Sequence, residues 1–239
     1  NLPLLEADLI DFGYARFQGV LPPVTLAPAI SIRRKAILNY SLDELSRKKG
    51  MLTEVQITII KKAVTERKNI IISGGTNTGK TTLANAILKE IPDSDRVLTL
   101  EVTMELETSI INNCFPLRTM NGKVSMDALI RTALRLRPER IIIGEVRGKE
   151  AWSLIKVLSS GHSGGLCTIH AFGGKRTLIR LEQLVLEASI KEIPRELIGE
   201  VIDLDIHLKK DPKTGKRQVD KIFSIHGYRD GEYEIETIG

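Results

Sequence analysis

From residue 51 onward the apolar positions follow two alternating rhythms: short β-branched runs, and longer stretches with one apolar face at helical spacing. Thr53-Glu54-Val55-Gln56 reads as a capping box, behind which Val55, Ile59, Ile60, Ala63 and Val64 mark a helical face. A strand over 69–73 leads to a helix over 80–90, with Leu83, Ile87 and Leu88 turned inward, and then to a strand over 96–101. Met126, Leu129, Ile130, Ala133 and Leu134 outline another helix, stopped by Pro138. A strand over 140–144 precedes a helix with Ala151, Leu154, Ile155 and Leu158 on one face, ended by Gly161. A strand over 166–170 and a helix carrying Leu178, Leu181, Leu184 and Val185 follow. Strands alternating with helices of this length predict an α/β fold with a mostly parallel sheet covered on both faces.

The two ends break this rhythm. Residues 1–38 hold Pro3, Pro22, Pro23 and Pro28, short apolar stretches and no helical period, and the 26–37 segment ends in the basic cluster Arg33-Arg34-Lys35. They read as the β-rich C-terminal part of a small α+β domain, too short to bury a core alone. Residues 39–50 are polar, end in Gly50 and read as a linker, which leaves 51–239 as the main domain. In the tail, 201–208 alternates apolar and polar positions, as a half-exposed strand does. Asp211-Pro212-Lys213-Thr214-Gly215 then supplies a turn, and 219–225 returns as the antiparallel partner.

Composition adds limits. A chain of 239 residues holds one large domain, or one domain and a smaller piece. With 42% hydrophobic and 27% charged residues, the balance is that of a soluble globular protein. No apolar run approaches the ~18 residues of a membrane span, and no signal peptide is visible. The first residue is Asn1 rather than Met, so the chain reads as a fragment whose natural N-terminus is missing. Cys114 and Cys167 lie in strand-like apolar segments, as buried reduced thiols of a cytoplasmic protein would. A net charge of +5 suits a membrane surface or nucleic acid and selects neither.

The segment with the clearest chemistry is Gly74-Gly75-Thr76-Asn77-Thr78-Gly79-Lys80-Thr81-Thr82, set between the 69–73 strand and the 80–90 helix. Glycines let the backbone wrap an anion with successive N–H groups, and the positive end of the following helix faces the same phosphates. Lys80 would reach the β- and γ-phosphates, and the Thr81 hydroxyl would ligate Mg2+. A Gly-rich turn with a surface lysine is the bland alternative, and the strand–loop–helix order argues against it.

A second signal is Arg140-Ile141-Ile142-Ile143-Gly144-Glu145-Val146-Arg147-Gly148, an apolar strand that ends in an acid. Glu145 has the reach to orient or deprotonate an attacking water, with the metal held partly through water. Its alternative is to cap the next helix. Glu101 and Glu105 flank the end of the 96–101 strand, where α/β sheets bind ligands. They hold metal-bound water or belong to a solvated acidic loop. Gly161-His162-Ser163-Gly164-Gly165-Leu166-Cys167-Thr168-Ile169-His170 places two histidines about a Gly-rich loop and a strand. His170 could donate to the γ-phosphate and so report hydrolysis, yet on chemistry alone each histidine reads more simply as structural. The spacing does not fit a zinc site. Arg131 and Arg135 lie one turn apart off the apolar stripe, while Arg118 and Arg147 fall in loops. Each could stabilise transition-state charge, in trans from a neighbouring subunit, or make a surface salt bridge.

Together the phosphate loop, the acidic box, IIIGEVRG and GHSGGLCTIHA resemble the traffic ATPases of bacterial type II and type IV secretion, and above all the TrbB-like conjugal-transfer branch. LPPV followed by APAISIRR resembles the end of that family's N-terminal domain. The resemblance implies a RecA-like phosphate-loop domain in a cytoplasmic homohexamer, with ATP and Mg2+ bound between N- and C-terminal domains. It implies work at the cytoplasmic face of the inner membrane, on secretion or conjugation machinery, with peripheral membrane association. It assigns the acidic box to Glu101 and Glu105, the histidine box to His162 and His170, and water activation to Glu145. Mg2+ would be shared by Thr81, Glu145 and Glu101. Arg33 or Arg34 would correspond to an N-terminal-domain arginine near the nucleotide. One departure is Val102, where the family often has an acid after the first Glu.

Three rivals share the loop. A RecA-like DNA motor or helicase calls for aromatic-rich basic loops, whereas aromatic content is 4% with no basic stripe. A non-hydrolysing nucleotide-gated scaffold has no use for Glu145. A small-molecule kinase needs an acceptor-binding lid, for which no segment is evident.

Overall fold

The computed structural model describes residues 3–13, 15–34, 39–120 and 122–239. The chain divides into two compact units. The first comprises 1–38 with 103–105 and contains β1 (Leu4–Leu9), β2 (Ala15–Val20) and β3 (Ala29–Arg33). These form an antiparallel sheet in the order β1-β2-β3. Leu4, Leu5, Ile30 and Ile32 are all more than half exposed on it, so its apolar side chains are left largely in water. Lys35 and the end of the 26–37 segment lie outside the described residues.

The second unit, 39–102 and 106–239, opens with a correction. The segment expected to be a linker contains α1 (Leu42–Lys49), whose Leu42 and Leu45 are completely buried. Ser41 and Glu44 close a reciprocal capping box, with N–H···O distances of 3.0 and 3.1 Å, and Gly50 ends the helix at φ 56°. The S-x-x-E signature was present in the sequence. With only two apolar positions the segment showed no periodicity to set beside it.

α2 (Glu54–Thr65) has the expected Thr53–Gln56 box. Its buried face is rotated from the expected one: Ile57, Ile60, Ala63 and Val64 point inward while Val55 is exposed. There follow β4 (Ile70–Gly74), α3 (Lys80–Leu88), β5 (Val97–Glu101), β6 (Cys114–Arg118), α4 (Met126–Leu134), β7 (Arg140–Val146), α5 (Glu150–Ser159), β8 (Leu166–Ile169), α6 (Lys175–Leu186), α7 (Arg195–Val201), β9 (Leu204–Lys210), β10 (Arg217–Arg229) and β11 (Glu232–Thr237).

The sheet has eight strands in the order β11-β10-β9-β4-β8-β7-β5-β6, parallel from β9 to β6 and antiparallel at the β9-β10-β11 edge. One face packs Ile70, Ile72 and Val97 against α1, α2 and α3. The other packs Ile71, Leu98 and Ile143 against α4 to α7. This is the two-sided cover that continuous apolar strands require.

The tail differs from its sequence reading. Residues up to Val201 belong to α7, and β9 lies inside the sheet, hydrogen-bonded to β4 on one side and β10 on the other. Leu204, Ile206 and Leu208 enter one core, while Asp205 is fully buried on the opposite face. Period-two alternation does separate two faces here, but the polar one is closed at Asp205 and only partly open at His207.

A buried ion network ties the strands' N-terminal ends together. Arg140 Nε donates to Asp95 Oδ2 at 2.6 Å, Arg67 to Asp95 Oδ1 at 2.7 Å, and a second Arg140 nitrogen donates to the Val64 carbonyl at 3.0 Å. This satisfied network sits at the end of the sheet remote from the phosphate loop, which follows the C-terminal end of β4. Among the described residues no helix is long and apolar enough to cross a membrane.

Candidate functional site

The loop from Gly74 to Gly79 joins β4 to α3 at the C-terminal edge of the parallel strands, where open α/β sheets present ligand sites. Two glycines are dictated by space as well as by φ. Gly74 has φ 153°, and a Cβ there would fall 2.7 Å from the Leu208 carbonyl oxygen and from Thr78 Oγ1. Gly79 has φ 99° at the N-cap of α3, and a Cβ would meet Met51 Cε at 3.1 Å. The loop holds its own shape: Thr78 Oγ1 donates to the Gly75 carbonyl at 2.9 Å, and Asn77 takes a left-handed conformation at φ 61°. Thr76 sits at its exposed tip, and Thr81 and Thr82 lie in the first turn of α3.

Lys80 is buried, with Nζ donating to the carbonyls of Gly74 at 3.0 Å and Gly75 at 2.9 Å. Its Nζ also lies 3.4 Å from His170 Nδ1. His170 follows β8, and its Nε2 is 3.0 Å from Glu145 Oε1 near the end of β7. Glu145 Oε2 in turn accepts from Arg147 at 2.6 Å. Four residues whose outermost members, Lys80 and His170, are 90 positions apart thus form one line: Lys80, His170, Glu145, Arg147.

The contacts specify protonation. An ammonium can only donate, so His170 Nδ1 accepts from Lys80 and Nε2–H donates to Glu145, the arrangement of a neutral imidazole. Partial burial and the Lys80 charge hold His170 below its ordinary pKa, against the opposing pull of Glu145. Burial alone would raise the Glu145 carboxyl. The Arg147 hydrogen bond and charge, with His170 and Lys80, outweigh it and hold Glu145 below the usual carboxylate range. The group is an ionised acceptor.

Glu101 ends β5 beside β7, almost wholly buried, and its Oε1 accepts the Leu106 N–H at 2.9 Å. It packs against Gly144, where a Cβ would stand 2.9 Å from Glu101 Cγ, which explains the glycine next to Glu145. Thr81 is a hydroxyl donor, and Glu101 and Glu145 are carboxylates, an oxygen-only set that suits Mg2+. With Glu145 already engaged by Arg147 and His170, a water-mediated share fits it best.

Other sequence candidates fall elsewhere. His162 lies on the loop after α5 with Nδ1 3.2 Å from Ser160 Oγ, outside the Lys80–Arg147 line. Arg131 and Arg135 are exposed on α4 and at its C-cap. Arg118 ends β6, opposite Glu101 in the parallel register, rather than lying in a loop. Arg33 and Glu105 both belong to the first unit, with Arg33 3.7 Å from Glu105. Glu145 does not cap the next helix: α5 has no side-chain cap, and Glu150 Oε1 instead accepts the N–H groups of Arg147 at 2.7 Å and Gly148 at 2.9 Å in the turn before it.

One site residue was missed. Arg217, on β10, donates to Asn77 Oδ1 at 2.5 Å across 140 positions of sequence. Its only sequence signal was a basic residue after a turn. It braces the left-handed tip of the loop and sets a fixed positive charge beside it. Arg217→Ala is therefore expected to weaken ATP binding about five- to tenfold, read by titration with a fluorescent nucleotide; unaltered affinity would dismiss the role.

A glycine loop between strand and helix, its lysine at a sheet edge, and an acidic residue on a strand two places away define a RecA-like phosphate-loop ATPase domain. The chain belongs to the type II/IV secretion system protein family, whose model matches residues 13–220. It is 43% identical over 238 residues to the probable conjugal transfer protein TrbB of Sinorhizobium fredii, covering 98% of this chain and 71% of that protein. The type IV secretion system protein VirB11 of Bartonella quintana is 30% identical over 264 residues, covering 92% and 73%. Among solved structures, the VirB11 ATPase of the Brucella suis type IV secretion system, in complex with sulphate, matches with a TM-score of 0.66 at 27% identity, covering 93% of this chain and 74% of that one. The resemblance expected from the motifs is met.

Proposed function

We propose that this chain hydrolyses ATP as a subunit of a homohexamer and passes the resulting motion to a type IV secretion or conjugal transfer machine. The observation that carries the reading is the line Lys80–His170–Glu145–Arg147, which links the phosphate-binding lysine to a polarised carboxylate through a neutral histidine.

The reaction is attack of water on the γ-phosphorus, giving ADP and inorganic phosphate. The N–H groups of the loop from Gly74 to Gly79 and the start of α3 cradle the phosphates. Lys80 exchanges its carbonyl partners for β- and γ-phosphate oxygens. Thr81, with Glu101 and Glu145 through water, would hold Mg2+, which when bound would supply neutralising charge to the phosphates. Glu145, held ionised, orients the water and accepts its proton. Because His170 touches both Lys80 and Glu145, a shift of Lys80 toward phosphate frees Nδ1. The same ring is then placed to register whether a γ-phosphate is present.

Arginines that lie off this line, Arg131, Arg135 and Arg33, are candidates to complete the site from a neighbouring subunit, as a hexamer requires. In this reading the protein works at the cytoplasmic face of the inner membrane, on membrane-embedded partners. The test is ATPase rate against protein concentration, run beside a measurement of assembly size. The rate per chain is expected to rise and level off as the hexamer forms. A rate per chain that stays constant while assembly size changes would remove the interface part of the mechanism.

A further inference from the structure

The face of β9 turned toward α6 carries two titratable side chains that this chemistry does not use. Asp205 is completely shielded from solvent, and His207, two residues on, shares its face of the sheet. Both meet the loop between β8 and α6, which begins with His170. Asp205 Oδ2 accepts the Gly174 N–H at 2.7 Å, and Gly174 is the N-cap of α6. A Cβ on Gly173, which has φ 82°, would fall 2.6 Å from His207 Cγ, so the loop backbone lies directly on the imidazole. His207 Nδ1 stands 3.0 Å from Ser73 Oγ, the residue before Gly74. One strand therefore touches both the sensor loop and the stem of the phosphate loop.

A carboxyl at this place is costly. Oδ1 has no partner in hydrogen-bonding geometry among the described residues. Burial pushes the group up to about 6, although the nearby Ser73 and Thr177 hydroxyls and the Gly174 N–H pull it down. An apolar side chain would fill the space at lower cost, and departures of this kind gather at functional positions.

We infer that Asp205 and His207 are positioning residues for His170, clamping the loop from His170 to Gly174 onto the strand beside the phosphate loop so that the imidazole stays between Lys80 and Glu145. The inference rests on the ATPase reading above. Displacement of a sensing group by even an ångström is a large loss in turnover but not in nucleotide grip, because the phosphate loop is untouched.

The experiment measures kcat, ADP affinity and thermal unfolding for the wild-type chain, Asp205→Ala, Asp205→Asn and Gly173→Ala. Asp205→Ala is expected to lower kcat about ten- to a hundredfold with ADP affinity nearly unchanged. Asp205→Asn, whose amide oxygen still accepts the Gly174 N–H, is expected to recover most of that loss. Gly173→Ala, which pushes the loop off His207 while leaving Asp205 in place, is expected to repeat the selective kcat loss even if Asp205→Ala does not fold. Wild-type kcat in Asp205→Ala or in Gly173→Ala would overturn the clamp, as would kcat and ADP affinity falling in parallel. Absence of turnover in the wild-type hexamer would instead overturn the ATPase reading, and the clamp with it.

Discussion

Lys80→Ala is expected to lower ATP turnover by about 10³-fold or more while the chain stays folded. Lys80 is the charge that the loop geometry delivers to the β- and γ-phosphates, where negative charge moves during transfer. It donates to the carbonyls of Gly74 and Gly75 and lies beside His170, and it belongs to neither of the two apolar cores on either side of the sheet. Phosphate release assayed alongside circular dichroism and thermal unfolding separates the two effects. Turnover within tenfold of wild type in the folded variant would remove Lys80 from the mechanism.

Glu145→Gln is expected to lower turnover by about 10²- to 10⁴-fold and to leave ATP binding within a few-fold of wild type. The amide keeps the size of the side chain and an oxygen that accepts from Arg147, but it cannot take a proton. It also removes the negative partner of His170 and Arg147 from the line of contacts. Binding measured by nucleotide titration and chemistry measured by single-turnover phosphate release distinguish a lost base from a lost site. A variant that binds ATP and hydrolyses it at the wild-type rate would reassign Glu145 to a structural role. One that no longer binds would move it from water activation to nucleotide grip.

The site residues legible in the sequence share a physical trait: their geometry is set by near neighbours in the chain. The loop from Gly74 to Gly79 takes its shape from glycines with positive φ, from the strand that enters it and from the helix that leaves it. Glu145 was legible because it ends an apolar run. His170 was visible as a histidine at a strand's end, though nothing local told it apart from His162. Arg147 and Arg131 were equally plausible as partners of the chemistry, since a guanidinium's value depends on what lies opposite it.

Where the reading failed, long-range packing had decided the outcome. α1 looked like a linker because its two apolar residues, Leu42 and Leu45, show a pattern only against the core that buries them. The face of α2 was misread because Val55 and Ile57 are equally apolar, and only the sheet behind the helix chooses between them. The 201–208 alternation was read as core against water because a sequence does not say that the loop between β8 and α6 will lie over the face bearing Asp205 and His207.

By itself the sequence determined the phosphate loop, the alternating α/β order and the acid at the end of β7, since backbone sterics and hydrophobic periodicity act over a few residues. Only the tertiary structure decided that His170, and not His162, joins Lys80 to Glu145, that Arg217 reaches Asn77, and that Asp205 and His207 lie under the loop from His170 to Gly174. Those contacts join strands distant in the chain, and sheet order, which local sequence does not encode, brings them together.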